Sequence, residues 1–329
     1  MNDVMIEATN LVKRYDDFTA IDNVSMKVRR GEVLGFLGPN GAGKSTTMKI
    51  LTCFASPTEG GAKVNGFDIT TDSLGVRASL GYLPESTALY TDMLVLEYLE
   101  FAAEMRTLSG DVRKRLKEVV EETGLGDVIA KPIRALSKGY KQRVGLAQAL
   151  IHEPPILILD EPLSGLDPNQ AVEIRDLIKD IGRSRTVILS THNLAEVQVA
   201  CNRVLIISKG RIVADDTPEG LRDRAGKAHY SVSVQKQGDD SFAKQVEASW
   251  KNLPGVESAR LIEEEAGELT YDVVPRGNED LRPALFKHAV DKGYTMIGLK
   301  REGQNLEEVF RELTTGPAVP TSPNTKAAA

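Results

Sequence analysis

The chain has 329 residues, 41% hydrophobic and 27% charged, the balance of an ordinary globular protein of about two domains and not of a disordered or collagenous chain. The longest apolar runs, such as Ile156 to Leu159 and Val204 to Ile207, fall far short of the roughly 18 residues that cross a bilayer, so any membrane link is expected to run through a partner. With 41 basic against 47 acidic residues and a net charge of −6, no global positive field favours nucleic acid, and none is expected as a partner.

Two cysteines, Cys53 and Cys201, make neither a disulfide framework nor a zinc site, and the start lacks a signal-type pattern, which predicts a reduced, cytoplasmic protein. Residues Ile6 to Val28 alternate in two runs broken at Tyr15-Asp16-Asp17 and predict an antiparallel strand pair. A buried strand follows at Glu32 to Leu37, then a glycine-rich turn and a helix over Thr46 to Phe54. From Thr91 to Leu136 the spacing of Val95, Leu99, Ala102, Val112, Leu116, Val119 and Val120 predicts an all-helical insert, stopped at Gly124 and Gly126. Apolar strands at Ile156 to Leu159 and Thr186 to Ser190, each after a helical stretch, give the alternation of a parallel α/β sheet.

The break between Asp216 and Ala228 places a domain boundary near Lys227. Beyond it the rhythm reads strand (Tyr230, Val232, Val234), helix (Phe242, Val246, Trp250, Leu253) and strands at Val256 to Ile262 and Leu269 to Val273 about a Gly267 turn. A helix with Leu281, Leu285, Phe286 and Ala289, its Pro283 in the first turn and Gly293 at its end, precedes a strand at Thr295 to Lys300. This β-α-β-β-α-β order is the split βαβ, ferredoxin-like pattern. A short helix is expected over Asn305 to Thr314 and disorder in the Pro-, Ser-, Thr- and Ala-rich remainder. The expected domains are 1–227, with the helical subdomain at about 91–136, then 228–315, then a disordered tail, 316–329.

Gly38-Pro39-Asn40-Gly41-Ala42-Gly43-Lys44-Ser45 fits G-x-x-x-x-G-K-[ST] and lies after a buried strand and before a helix, where its mechanism requires it. Glycines let successive N–H groups turn toward phosphates, Lys44 supplies a point charge for the β and γ phosphates, Ser45 a hydroxyl for Mg²⁺, and the helix a positive dipole end. Ile156 to Glu161 is an apolar strand ending in two carboxylates at the carboxyl edge of the sheet. Asp160 suits Mg²⁺ and Glu161 an attacking water.

Taken together, GPNGAGKST, LSKGYKQR, ILILDEP, SGLD and STH occur in the order found in the ATP-binding cassette (ABC) ATPases, and the chain resembles that family over roughly residues 4 to 225. The resemblance implies a phosphate-loop NTPase cassette of α/β class with an antiparallel β subdomain and a helical insert, here followed by the smaller α+β ferredoxin-like domain. It implies that ATP and Mg²⁺ bind, with Tyr15 stacking on adenine, residues Gly38 to Thr46 around the phosphates, and His192 contacting the γ-phosphate. Leu136-Ser137-Lys138-Gly139-Tyr140 resembles the signature LSGGQ, whose matching Ser137 and Gly139 would grip the γ-phosphate of ATP on a second subunit, while Lys138 and Tyr140 depart from it. Glu85, in Tyr82-Leu83-Pro84-Glu85, stands where the family carries glutamine and is expected to tune metal affinity or coupling; this variant is similar to gliding-motility-like export ATPases.

The phosphoryl transition state needs positioning and charge neutralisation more than covalent chemistry. Lys44, Glu161 and His192 are therefore the expected catalytic set, with Glu161 as the base for water and Ser45, Glu85 and Asp160 around the metal. One phosphate loop and one signature per chain imply an ATP-sandwiched dimer, of identical or paired ATPases. The partner implied beyond that is a separate membrane permease, contacted by the helical insert and the Glu85 loop, which would hold the protein on the cytoplasmic face of the cell membrane. The ferredoxin-like tail followed by Asn305-Leu306-Glu307-Glu308-Val309-Phe310 resembles the C-terminal extension of many drug-, antibiotic- or gliding-related export ATPases.

Overall fold

A computed structural model describes residues 3–106, 108, 110–224, 229–239, 241–265, 267–277, 279–302, 310–311 and 313–314. In chain order the first elements are β1 (Val4–Tyr15), β2 (Phe18–Arg29), β3 (Val33–Leu37), α1 (Lys44–Leu51), β4 (Glu59–Val64), β5 (Phe67–Asp68), α2 (Ser73–Ser79) and β6 (Leu80–Leu83). Next come α3 (Val95–Met105), α4 (Val112–Thr123), α5 (Lys138–Leu150), β7 (Ile156–Asp160), α6 (Pro168–Gly182), β8 (Thr186–Thr191), α7 (Leu194–Ala200), β9 (Arg203–Ser208) and β10 (Arg211–Asp216). They are followed by α8 (Pro218–Arg224), β11 (His229–Gln235), α9 (Ser241–Lys251), β12 (Val256–Glu265), β13 (Glu268–Pro275), α10 (Arg282–Lys292) and β14 (Met296–Glu302).

The described residues up to Pro218, with Leu313 and Thr314, form one compact unit, and those from Glu219 to Arg311 form another. The division precedes the expected boundary at Lys227. The Pro- and Gly-bearing stretch expected as a break instead contains α8, which starts on Pro218, a residue whose fixed φ suits a first helical position. The expected tail, 316–329, and most of the expected 305–314 helix lie outside the described residues; Phe310, Arg311, Leu313 and Thr314 are helical.

In the first unit a six-stranded sheet runs β10-β9-β3-β8-β7-β6. The strands from β9 to β6 are parallel, and β10 pairs antiparallel with β9. Strands β3, β7 and β8 are buried at every residue, which is why they read as unbroken apolar runs. The antiparallel sheet β2-β1-β4-β5 shares with it a core of Leu34, Phe36, Met48, Ile50, Leu51, Ile158 and Ile188. Between β6 and α5 the insert holds α3, α4 and two single 3₁₀ turns, Gly126–Val128 and Ile133–Ala135.

The second unit is a sheet of order β12-β13-β11-β14, antiparallel throughout. Its alternation is strict on β11, where Tyr230, Val232 and Val234 are buried; they pack with Val246 and Trp250 of α9 and Leu285 and Ala289 of α10. This is the ferredoxin-like arrangement. Phe286, read from the sequence as a member of that apolar face, is exposed, because α10 turns the one residue past Leu285 away from the sheet. Gly293 ends the helix in the left-handed conformation.

Candidate nucleotide site

The site grows from the end of β3. Gly38 donates its N–H to the Thr191 carbonyl at 3.3 Å, and a Cβ at Gly38 would stand 2.5 Å from the Ile207 carbonyl oxygen. Only glycine lets the loop pass that close to β9. Gly43 has φ of 108°, a conformation that side chains avoid, and it redirects the chain so that Thr47 N–H bonds the Gly43 carbonyl. Helix α1 therefore begins at Lys44, two residues ahead of the sequence expectation. It stops at Leu51 and not at Phe54, because Cys53 adopts φ of 58°; Phe54 is exposed. The first-turn N–H groups of α1 have no intrahelical acceptors and point out of its N-terminus.

That terminus opens into a cleft of about 390 Å³ lined by Asn40, Gly41, Gly43, Lys44, Ser45, Thr46, Glu85, Glu161 and His192, together with Phe18, Ala20 and Ser164. Phe18 and Ala20 were not nominated from the sequence, and Ser164 only as the first residue of the SGLD segment. Phe18 directly follows the Asp16-Asp17 turn, a position that alone does not mark a cleft residue. Tyr15 does not line the cleft: it ends β1 with the Lys13 ammonium 4.9 Å from its ring centroid. Gly38, Pro39 and Ala42 form the back of the loop. The first two present carbonyls to Lys44 Nζ at 2.8 and 3.4 Å, and Ala42 accepts from Gly210 N at 3.0 Å.

The centre of the cleft is one carboxylate. Glu161 Oε1 lies 3.1 Å from Lys44 Nζ and Oε2 lies 2.8 Å from His192 Nδ1. Lys44 and Glu161 are buried, and neither charge would be tolerated there unpaired. An ionised carboxylate only accepts, so His192 Nδ1 carries the proton and Nε2 is left toward the half-exposed side. Glu161 has φ of 50°, uncommon for a side-chain-bearing residue. The turn is held by Glu161 N to the Ser190 carbonyl at 2.9 Å and Ser164 N to the Glu161 carbonyl at 3.1 Å.

Asp160 is buried behind this pair and accepts the Ser190 hydroxyl at 2.7 Å. Burial, helped by the charges of Asp160 and Glu85, pushes the Tyr82 phenol far above its usual range, which keeps it neutral. Ser137 and Gly139 lie apart from the cleft lining, at the start of α5. Ser137 caps that helix by accepting from Tyr140 N at 3.4 Å, and a Cβ at Gly139 would meet Gln170. Lys138 extends its Nζ against Gly165 of the SGLD turn, whose φ is 65°.

Comparison with known proteins gives one consistent result. A family model described as ABC transporter matches residues 21–164. The chain is 30% identical over 312 residues to the linearmycin resistance ATP-binding protein LnrL of Bacillus subtilis, covering 94% of this chain and 98% of that one. It is 34% identical over 240 residues to the daunorubicin resistance ATP-binding protein DrrA3 of Streptomyces coeruleorubidus, covering 72% and 76%. Among solved structures it resembles cbiO1 of Clostridium perfringens, part of the transporter complex cbiONQ, with TM-score 0.62, 30% identity, and coverage of 67% of this chain and 91% of that one. It also resembles the cassette MJ0796, a dimer in a post-hydrolysis state with ADP and Pi, with TM-score 0.59, 26% identity, and coverage of 65% and 98%.

Proposed function

The chain belongs to the ATP-binding proteins of ABC transporters, and from that premise we propose how its own residues bind and hydrolyse ATP and what they drive. It is an ATPase whose turnover is coupled to transport. The observation that carries the reading is the junction of Lys44 and His192 on the two oxygens of Glu161, inside a cleft walled by the phosphate loop. Phosphate oxygens entering the cleft meet the N–H groups of the loop and compete for the Lys44 ammonium. As Lys44 turns to the phosphates, Glu161 loses its strongest counter-charge and becomes free to take a proton from water. His192, tethered through Nδ1, is placed to report whether a γ-phosphate is present.

The donors Ser45, Asp160 and Glu85 are all oxygens, a set that fits Mg²⁺. An ion held there would take much of its coordination from nucleotide phosphates and water. When bound, Mg²⁺ neutralises charge developing on the phosphoryl group. Ser137 and Gly139, absent from the lining of their own cleft, act on ATP held by a second ATPase subunit. Phe18 offers the adenine a ring at the mouth of the cleft, with Tyr15 behind it.

The partner is a separate permease that exports drug- or antibiotic-like compounds, in line with the names of the two resistance relatives. Among the described residues no helix is long and apolar enough to cross a membrane; in this reading it is the permease that holds the protein on the cytoplasmic face. The test is to hold tagged Glu161→Gln protein with ATP, solubilise the membranes of its native cells and identify what co-purifies. A polytopic membrane protein at near-stoichiometric yield is expected; ribosomes or DNA factors without one would overturn the assignment.

A further inference from the structure

We infer that Glu196 is a positioning residue for ATP hydrolysis: through Thr191 it holds the turn that presents His192 to the nucleotide. The inference rests on the role proposed above for His192. Thr191, the last residue of β8, is fully buried, and its hydroxyl donates to Glu196 Oε2 at 2.6 Å, the length of a charge-assisted bond. The same hydroxyl oxygen accepts from Asn193 N at 3.0 Å, and the Thr191 carbonyl accepts from Gly38 N at 3.3 Å. One buried threonine is thus tied at once to α7, to the residue after His192 and to the first glycine of the phosphate loop. His192 is the single residue spanned by two of these ties.

An acidic residue in the first turn of a helix ordinarily faces water and gains a little from the helix dipole. Glu196 is instead half-buried, with Thr191, Asn193, Glu161, His192 and Cys201 around it. Burial, and to a lesser extent the like charge of Glu161, raises its pKa, and the Thr191 hydroxyl acts against them. A second carboxylate at that place costs solvation, and what it accomplishes geometrically is to lock the Thr191 rotor. With the rotor locked, the Asn193 N–H keeps its acceptor and the imidazole keeps its bearing on Glu161.

The experiment compares wild type with Glu196→Ala, Glu196→Gln, Thr191→Val, Glu196→Ala/Thr191→Val and His192→Ala in steady-state ATPase assays and in calorimetric binding of ATP and ADP. Glu196→Ala and Thr191→Val are each expected to lower kcat about tenfold, the scale of one hydrogen bond to a charged group, and to shrink the preference for ATP over ADP while ADP affinity stays unchanged. The double variant is expected to be no worse than either single one. Glu196→Gln, which keeps an acceptor for the Thr191 hydroxyl, is expected to recover most of the loss. A helix-start role alone would change thermal stability without moving the ATP-over-ADP preference.

Wild-type kcat and nucleotide preference in Glu196→Ala, alongside an impaired His192→Ala, would overturn this inference and leave the role of His192 standing. Wild-type behaviour of His192→Ala would overturn both. If Glu196→Ala does not fold, Thr191→Val decides: normal kcat there sinks the proposal.

Discussion

In the first unit the groups packed deepest around the cleft are charged: Lys44, Asp160 and Glu161 are all nearly inaccessible. In the second unit the deepest places are taken by rings, with Tyr230, Trp250 and Tyr271 the largest fully buried side chains among the described residues. Each tyrosine there has its polar end satisfied: Tyr230 Oη accepts from Leu281 N at 2.9 Å, and Tyr271 Oη donates to the Ala243 carbonyl at 3.0 Å. Buried charge costs stability unless each group has a partner in good geometry. The cleft meets that condition for Lys44 and Glu161 through a mutual contact that, on the proposed mechanism, a nucleotide rearranges; in the ferredoxin-like core both tyrosine hydroxyls are paired inside the fold and the buried Trp250 Nε1 has no hydrogen-bond partner among the described residues. One unit holds its groups for exchange with a ligand; the other holds them for good.

That contrast breaks if damage to one unit has the signature of damage to the other. Trp250→Ala empties the largest buried side chain of the second unit and is expected to cost about 3 to 5 kcal/mol. Scanning calorimetry should show an early transition while ATP binding at temperatures below it is retained. Lys44→Ala should do the reverse, lowering ATP affinity and hydrolysis by at least about a hundredfold, as loss of a main phosphate charge does. The Trp250-dependent transition should not move, and a filter-binding assay alongside the same scan checks both.

Two smaller tests sharpen the contrast. Gly38→Ala forces a methyl against the Ile207 carbonyl at 2.5 Å, and such overpacking costs about 1 to 3 kcal/mol. The expected readout is weakened ATP binding with a modest loss of stability. His152 gives the smallest effect. Burial first, then the nearby Arg106 charge, depresses its pKa to about 4, although its Nε2 meets the Leu80 carbonyl at 3.0 Å. The folded state therefore prefers the neutral ring. Its contribution is complete above pH 6.5, the unfolded value, and is lost as pH falls toward 4. Discounted for the part of the ring that meets solvent, the loss is about 1 kcal/mol; urea midpoints at pH 7 and pH 5 should converge in His152→Gln.

Much of the site was legible because its chemistry is local. The phosphate loop is a contiguous string, and Asp160, Glu161 and His192 each announce themselves at the end of an apolar run. The weaker strands were not legible. Strand β4 begins Glu59-Gly60-Gly61, β5 has two residues, and β6 is a four-residue edge strand, so none offers a period long enough to count. Phe18 escaped because nothing in its neighbours distinguishes an aromatic at a cleft mouth from one on an exposed strand end. The helix ends shifted because Gly43 and Cys53 take left-handed conformations, which sequence period does not record.

The sequence by itself determined the class of the protein: a phosphate loop after a buried strand, two carboxylates at a sheet edge, and a β-α-β-β-α-β tail. Each follows from local spacing and from backbone conformations only certain residues adopt. What the tertiary structure alone decided is who meets whom. That Glu161 bridges Lys44 and His192 and that Ser190 backs Asp160 depends on parallel register among β3, β7 and β8. Register is set by packing between strands far apart in the chain, and no window of sequence contains it.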